Sequence, residues 1–148
     1  LIIASASILG WWMTYNQIPQ AIAASFLAIS QDPQVIILMI LCLVLIVGLF
    51  MDINAALIIL APVLGPLTVT IGMDPIQAGI MIILALNISL MTPPVGACLF
   101  VLASVTGEKI ERISKALLPF LAAEIAILFV IAFWADLTLL VPRLLGLR

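Results

Sequence analysis

Asn87, Ser89 and Thr92 put an amide and two hydroxyls into an otherwise apolar run, and Pro93, Pro94 and Gly96 follow at once. A helix that only crosses lipid gains nothing from these residue types. Proline removes an amide donor and clashes with the preceding turn, and it drives the residue before it out of the α region. Thr92 and Pro93 are therefore expected to be extended. A helix that stops here leaves carbonyl oxygens free, and these carry partial negative charge. Added to the Ser89 and Thr92 hydroxyls and the Asn87 amide, they make a neutral, oxygen-rich nest suited to a hard cation such as Na+. A second anomaly is Asp52 in "VGLFMDINAA", the only acid between Gln34 and Gly72. A carboxylate deep in a bilayer is costly and usually functional. It is also a good helix N-cap, and one residue can do both at the tip of a re-entrant hairpin. Gly48 just before it allows close packing of helices near the turn.

The elements that position these residues belong to a membrane. The chain of 148 residues is 66% hydrophobic and 8% charged, with a mean hydropathy of +1.45. Soluble domains are about half apolar and about a quarter charged. The net charge of −2 supplies no basic footprint for nucleic acid. The absence of histidine removes the commonest general base and metal ligand. An intramembrane protease would need a Ser–His pair or two facing aspartates, and Asp52 has no acid partner in either neighbouring run. Cys42 and Cys98 lie in apolar runs and are expected to be small buried hydrophobes, not a disulfide.

A spanning helix needs about 20 apolar residues. Leu1 to Trp12 is shorter and ends in a pair of tryptophans suited to the membrane–water interface; it reads as the tail of a truncated membrane helix, and the chain as the C-terminal piece of a longer polypeptide. Pro19 to Ile29 carries Ile22, Phe26 and Ile29 on one stripe with Ile18, an amphipathic helix for the membrane surface. Val35 to Met51 is a continuous apolar helix. After it, Asn54 to Ala61 is only eight residues before Pro62, about 12 Å of helix, a short return arm. "GMDP" marks the next turn and helix start. Ile76 to Met91 is sixteen residues, about 24 Å, and "VGACLFVLASV" after the prolines is too short to span alone. Joined across a break, the two make one spanning segment, and a break at that depth must line a cavity or bind something. "TGEKIERISK" must reach water, and Ala116 to Val141 is a full span containing a lone Glu124, with Asp136 marking its far interface. The chain thus divides into 1–33, a helix end plus interfacial helix; 34–107, a hairpin and broken helix; and 108–148, a charged loop and final span.

The series "GLFMDINAALIILAPVLGPL", "GMDPIQAGIMIILALNISLMTPPVGACLFV" and "LLPFLAAEIAILFVIAFWADLTLLVPRLLG" resembles the large permease subunit of tripartite ATP-independent periplasmic (TRAP) transporters, over essentially the whole chain. "TPPVG" after "GMDP" at this spacing is its specific core. The family pattern often has glycine where Ser89 stands. The resemblance implies an all-α polytopic membrane protein, the C-terminal inverted repeat of an elevator-type, Na+-coupled secondary transporter in a bacterial or archaeal cytoplasmic membrane. It implies uptake of an organic acid delivered by a periplasmic binding protein, with a small four-helix membrane subunit and the remainder of the permease as partners. It implies no enzyme activity and no cofactor beyond the coupling ion. On this basis Thr92, Met91, Pro93, Ser89, Gly48 and Asp52 are the expected cation-site residues, and Asn87, Pro94, Gly96 and Asn54 the expected cavity residues. The alternative is an ion-coupled organic anion permease of similar architecture without a binding protein; a purely structural scaffold subunit is the third reading.

Overall fold

Aspartates start three of the helices. Asp32, Asp52 and Asp74 each precede a helix, and each Oδ1 accepts a hydrogen bond from the amide two residues on, at 2.9, 2.9 and 2.8 Å. Pro33 and Pro75 follow two of these caps in the first turn, where a missing amide costs nothing. The computed structural model describes residues 2–92 and 96–144. Among them are eight helices and no strand: α1 (Ile2–Tyr15), α2 (Ile18–Ile29), α3 (Pro33–Phe50), α4 (Ile53–Thr70), α5 (Pro75–Met91), α6 (Ala97–Thr106), α7 (Ile110–Phe133) and α8 (Ala135–Leu144). Of these, α3, α4 and α7 are long and apolar enough to cross a membrane.

The core centres on α5, which packs most extensively on α3 and also on α4 and α7. Ile37, Ile40, Leu41, Val44 and Gly48 of α3 and Met81, Ala85, Ile88 and Ser89 of α5 are all buried, and Gly48 lies directly against Ser89. Between lipid-facing helices hydrophobicity gives little drive, so shape and small residues decide the contact. The small residues here are Gly48, Ala85 and Ser89.

Three elements differ from expectation. The return arm of the hairpin does not stop at Pro62: α4 continues through Pro62 and Pro66 to Thr70. Pro62 leaves the Ile58 carbonyl without its intrahelical donor, and α1 passes close to that oxygen, 3.5 Å from where a Cβ on Gly10 would lie. The Thr70 hydroxyl donates to the Pro66 carbonyl at 2.8 Å in the last turn, while the carbonyl that Pro66 itself deprives of a donor is that of Pro62. Neighbouring helices and hydroxyls are what let a membrane helix keep internal prolines. Secondly, the last span is divided, with Trp134 outside helical geometry between α7 and α8. The carbonyls of Ile131 and Ala132 accept instead from the Nε2 of Gln77 on α5, at 2.8 and 3.2 Å. Thirdly, Cys42 and Cys98 are exposed. An all-apolar helix does not mark which face turns inward, and both thiols lie on outward faces.

Gln77 is 4% exposed. Gln77→Leu keeps the volume but strands two carbonyls, and is expected to cost about 2 kcal/mol. The melting temperature of the full-length permease in detergent checks this, with Gln77→Met as the second apolar control. An unchanged melting temperature in both would mean that water satisfies these carbonyls.

Candidate functional site

The hairpin tip and the α5–α6 junction meet. α3 ends at Phe50, Met51 and Asp52 make the turn, and α4 begins at Ile53. Gly48, Met51 and Asp52 from the tip line a cavity of about 160 Å3 together with Leu90 and Gly96 from the junction. Asp52 and Leu90 also border an open cleft of about 470 Å3, whose other wall is the Cys98, Val101, Leu102 and Val105 face of α6. On the other side of α5, Ser89 and Thr92 line a third space of about 140 Å3 with Leu45, Leu49, Ile88 and Ile125.

The chemistry at the junction follows from the prolines. A continuing helix would bond the carbonyls of Ser89 and Leu90 to the amides of residues 93 and 94, and proline has none. The Ser89 carbonyl accepts instead from the Thr92 amide at 3.1 Å. The Leu90 and Thr92 carbonyls crowd Gly96, where an added Cβ would lie 2.9 and 3.0 Å from the two oxygens. The Gly96 amide donates to the Thr92 carbonyl at 3.2 Å. Thr92 is extended, as the proline after it requires. Its hydroxyl donates to the Ile88 carbonyl at 2.6 Å, which points the oxygen lone pairs away from the helix. α6 then starts at Gly96 without a side-chain cap; the Leu99 amide donates to the Gly96 carbonyl at 2.9 Å, which leaves the amides of residues 97 and 98 as the ones open to an acceptor.

The remaining expected residues fall into place unequally. Ser89 is 1% exposed; its single hydroxyl proton lies between the Ala85 carbonyl of its own helix at 2.9 Å and the Leu45 carbonyl of α3 at 3.1 Å. The second of these contacts ties α5 to α3. Gly48 lies against it, and a Cβ there would fall 2.7 Å from the Ser89 Cβ. Asp52 caps α4 through the Asn54 amide while bordering both spaces at the tip. Asn54 is exposed and Asn87 is half-buried, and neither lines these three cavities; the Asn87 amide donates to the Ile83 carbonyl of its own helix. Met91 ends α5. Pro93 and Pro94 lie outside the described residues. Leu90 was not among the expected residues, although its carbonyl is the one that Pro94 deprives of a donor; the signal was in the proline spacing.

A carboxylate cap implies a definite response. Asp52→Ala should cost about 1 kcal/mol and Asp52→Asn only a few tenths, read as melting temperatures of the full-length permease. Equal losses in the two variants would give the negative charge a role beyond the cap.

A family model described as "Tripartite ATP-independent periplasmic transporter, DctM component" matches residues 1–137. The chain belongs to the DctM family. It is thus a segment of a transporter-family protein, not of an enzyme family, and an integral membrane protein. Among DctM relatives, it is 40% identical over 133 residues to the "Isethionate TRAP transporter permease protein DctMQ" of Oleidesulfovibrio alaskensis, covering 90% of this chain and 21% of that one. It is 35% identical over 144 residues to the "Sialic acid TRAP transporter large permease protein SiaM" of Vibrio cholerae, 97% of this chain and 34% of that one. It is 36% identical over 146 residues to the "C4-dicarboxylate TRAP transporter large permease protein DctM" of Pseudomonas aeruginosa, 99% of this chain and 34% of that one. The chain therefore spans between 21% and 34% of the length of these DctM relatives.

Proposed function

We propose that this chain is the C-terminal portion of the large permease of a Na+-coupled TRAP-type transporter that takes up an organic acid across a bacterial cytoplasmic membrane. The hairpin α3–α4 and the interrupted pair α5–α6 form one of two inverted repeats and move as part of an elevator. The observation that carries this reading is the meeting of the hairpin tip with the α5–α6 junction around Gly48, Asp52, Leu90 and Gly96. A hairpin tip that meets the break between two shorter helices is the arrangement such a binding site needs.

In this reading a Na+ ion takes the Thr92 hydroxyl oxygen and backbone carbonyls from the last turn of α5, Met91 among them, with Pro93 and Ser89 alongside. The substrate anion is held by the open amides of the first turn of α6, near Gly96 and the Pro94 side of the junction, so no cationic side chain is required. Every lysine and arginine of the chain stands at position 109 or later. The substrate class is an organic acid, in keeping with the isethionate, sialic acid and C4-dicarboxylate in the names of relatives. A periplasmic binding protein delivers it, and a small membrane subunit and the other repeat complete the machine.

Uptake by proteoliposomes containing the full-length permease, its small subunit and its binding protein tests this. An inward Na+ gradient should drive accumulation that K+ does not support and that stops without the binding protein. Uptake indifferent to Na+ would remove the coupling. Uptake that persists without the binding protein would assign the chain to a permease that works alone.

A further inference from the structure

Glu124 is the only charged residue of α7 beyond Lys115. It sits about 21 Å from the start of the helix and about 13 Å from its end. By register it shares a stripe with the buried Leu121 and Leu128, three residues before and four after. One of its carboxylate oxygens, Oε2, is covered by this chain's own atoms and has no hydrogen-bond partner among the described residues; the other, Oε1, is not covered, makes no hydrogen bond there either, and is the oxygen that a donor from outside can reach. The side chain as a whole is partly exposed, at the border between that stripe and the exposed Phe120 and Ile127.

The helices packed against α7 are α5, α6 and α8. Neither α5 nor α6 contains a basic residue. On α8, Arg143 already donates to Asp136 at 2.6 Å. On α7 itself, Arg112 pairs with Glu108, and Lys115 lies about 13 Å along the helix from Glu124. Among the described residues the carboxyl therefore has no complement. An unpaired acid at membrane depth is expensive, and such residues pair with one another or face the interior of a bundle. Only 17% of the apolar window of α7 is buried here, so its faces remain open to a partner.

We propose that the Phe120–Glu124–Ile127 edge of α7 is an intramolecular docking surface. Its occupant is a transmembrane helix from the remaining length of the permease, carrying a basic or amide side chain that donates to the Glu124 carboxylate. Two facts favour that occupant over lipid. A carboxyl with no hydrogen bond calls for a donor, and the related permeases are about three times as long as this chain or more, with further sequence to supply one. The proposal rests on the permease reading only for the existence of that further sequence, and its test is independent of transport.

The test uses the full-length permease, expressed with its small subunit in native membranes. p-Benzoyl-phenylalanine is placed at Phe120 or Ile127, the sample is irradiated, and adducts are mapped by mass spectrometry. The expected adduct joins α7 to a permease peptide outside residues 1–148 that contains Arg, Lys, His, Asn or Gln within a hydrophobic segment. Glu124→Gln, which keeps an acceptor, should leave its yield within about twofold, and Glu124→Leu should reduce it severalfold. Adducts to lipid alone, to the small subunit, or to a segment without such a donor would overturn the proposal. So would a yield unchanged in Glu124→Leu. Loss of uptake without loss of the adduct would count against the Na+-coupled reading and leave this contact standing.

Discussion

Replacing Gly48 by alanine is expected to destabilise the full-length permease by about 2 kcal/mol, the scale of inserting a methyl group into a well-packed contact. The reason is local and geometric. A Cβ at position 48 would fall 2.7 Å from the Ser89 Cβ and 2.8 Å from its Oγ. Neither helix can yield freely, because the Ser89 hydroxyl fastens α5 to the Leu45 carbonyl of α3. The third neighbour, Leu86 Cδ2 at 3.2 Å, is the end of a flexible side chain and can turn aside. Ser89→Gly should therefore recover most of the loss in the Gly48→Ala background, although alone it removes a hydrogen bond worth about 1 kcal/mol. The four melting temperatures form a double-mutant cycle, and a coupling of about 1 kcal/mol or more is expected for residues in direct contact. Additive effects would mean that the two helices are not in contact at this point. The cycle also bears on the serine itself. A glycine in place of Ser89 would relax the contact with Gly48 and lose the tether between α5 and the hairpin.

Gly96→Ala is expected to reduce uptake at least about tenfold, equivalent to about 1.4 kcal/mol, while the permease still reaches the membrane. Here the obstacle is backbone. The added methyl would meet the Leu90 carbonyl oxygen at 2.9 Å and the Thr92 carbonyl oxygen at 3.0 Å. These oxygens cannot rotate away as a side chain can, so the start of α6 must shift relative to the end of α5. That shift spoils both the carbonyl cluster proposed for the cation and the open amides proposed for the anion. Initial uptake rates at several substrate and Na+ concentrations, normalised to permease in the membrane, measure it. Rates within twofold of wild type would show that the junction tolerates displacement and does not hold ligand at this spot.

How much of this was legible in the sequence depends on the signal each residue carries. Asp32, Asp52 and Asp74 announce their helices because a carboxylate before a helix has one strong local use, and all three take it. The interruption at "MTPPVG" is equally local, since two consecutive prolines remove adjacent amides and push Thr92 out of the α region, which the separated Pro62 and Pro66 of α4 do not do. The inward faces of α3 and α6 were illegible. Every position in "LMILCLVLIV" suits lipid as well as a core, so the exposure of Cys42 and Cys98 has no counterpart in composition. Pro62 misled for a related reason: the neighbour that tolerates its freed carbonyl, α1, is adjacent only in space. The tie from Gln77 to α7, which closes that helix at Trp134, joins residues 54 and 55 positions apart and no periodicity reports it. Around the junction, Thr92 and Asp52 stand out in the sequence by their side chains, whereas Leu90 contributes only position and a backbone oxygen.

A Na+ titration of uptake decides whether a cation sits at the α5–α6 junction. It compares wild type, Thr92→Ala and Thr92→Ser in the full-length permease with its small subunit and binding protein, at saturating substrate. Thr92→Ser keeps the hydroxyl that donates to the Ile88 carbonyl and should stay within about threefold of the wild-type Na+ half-saturation. Thr92→Ala removes that oxygen and should raise the half-saturation about tenfold or more, the cost of losing one charged contact. Identical Na+ curves for all three proteins would contradict a cation at Thr92 and leave the paired prolines a purely structural break.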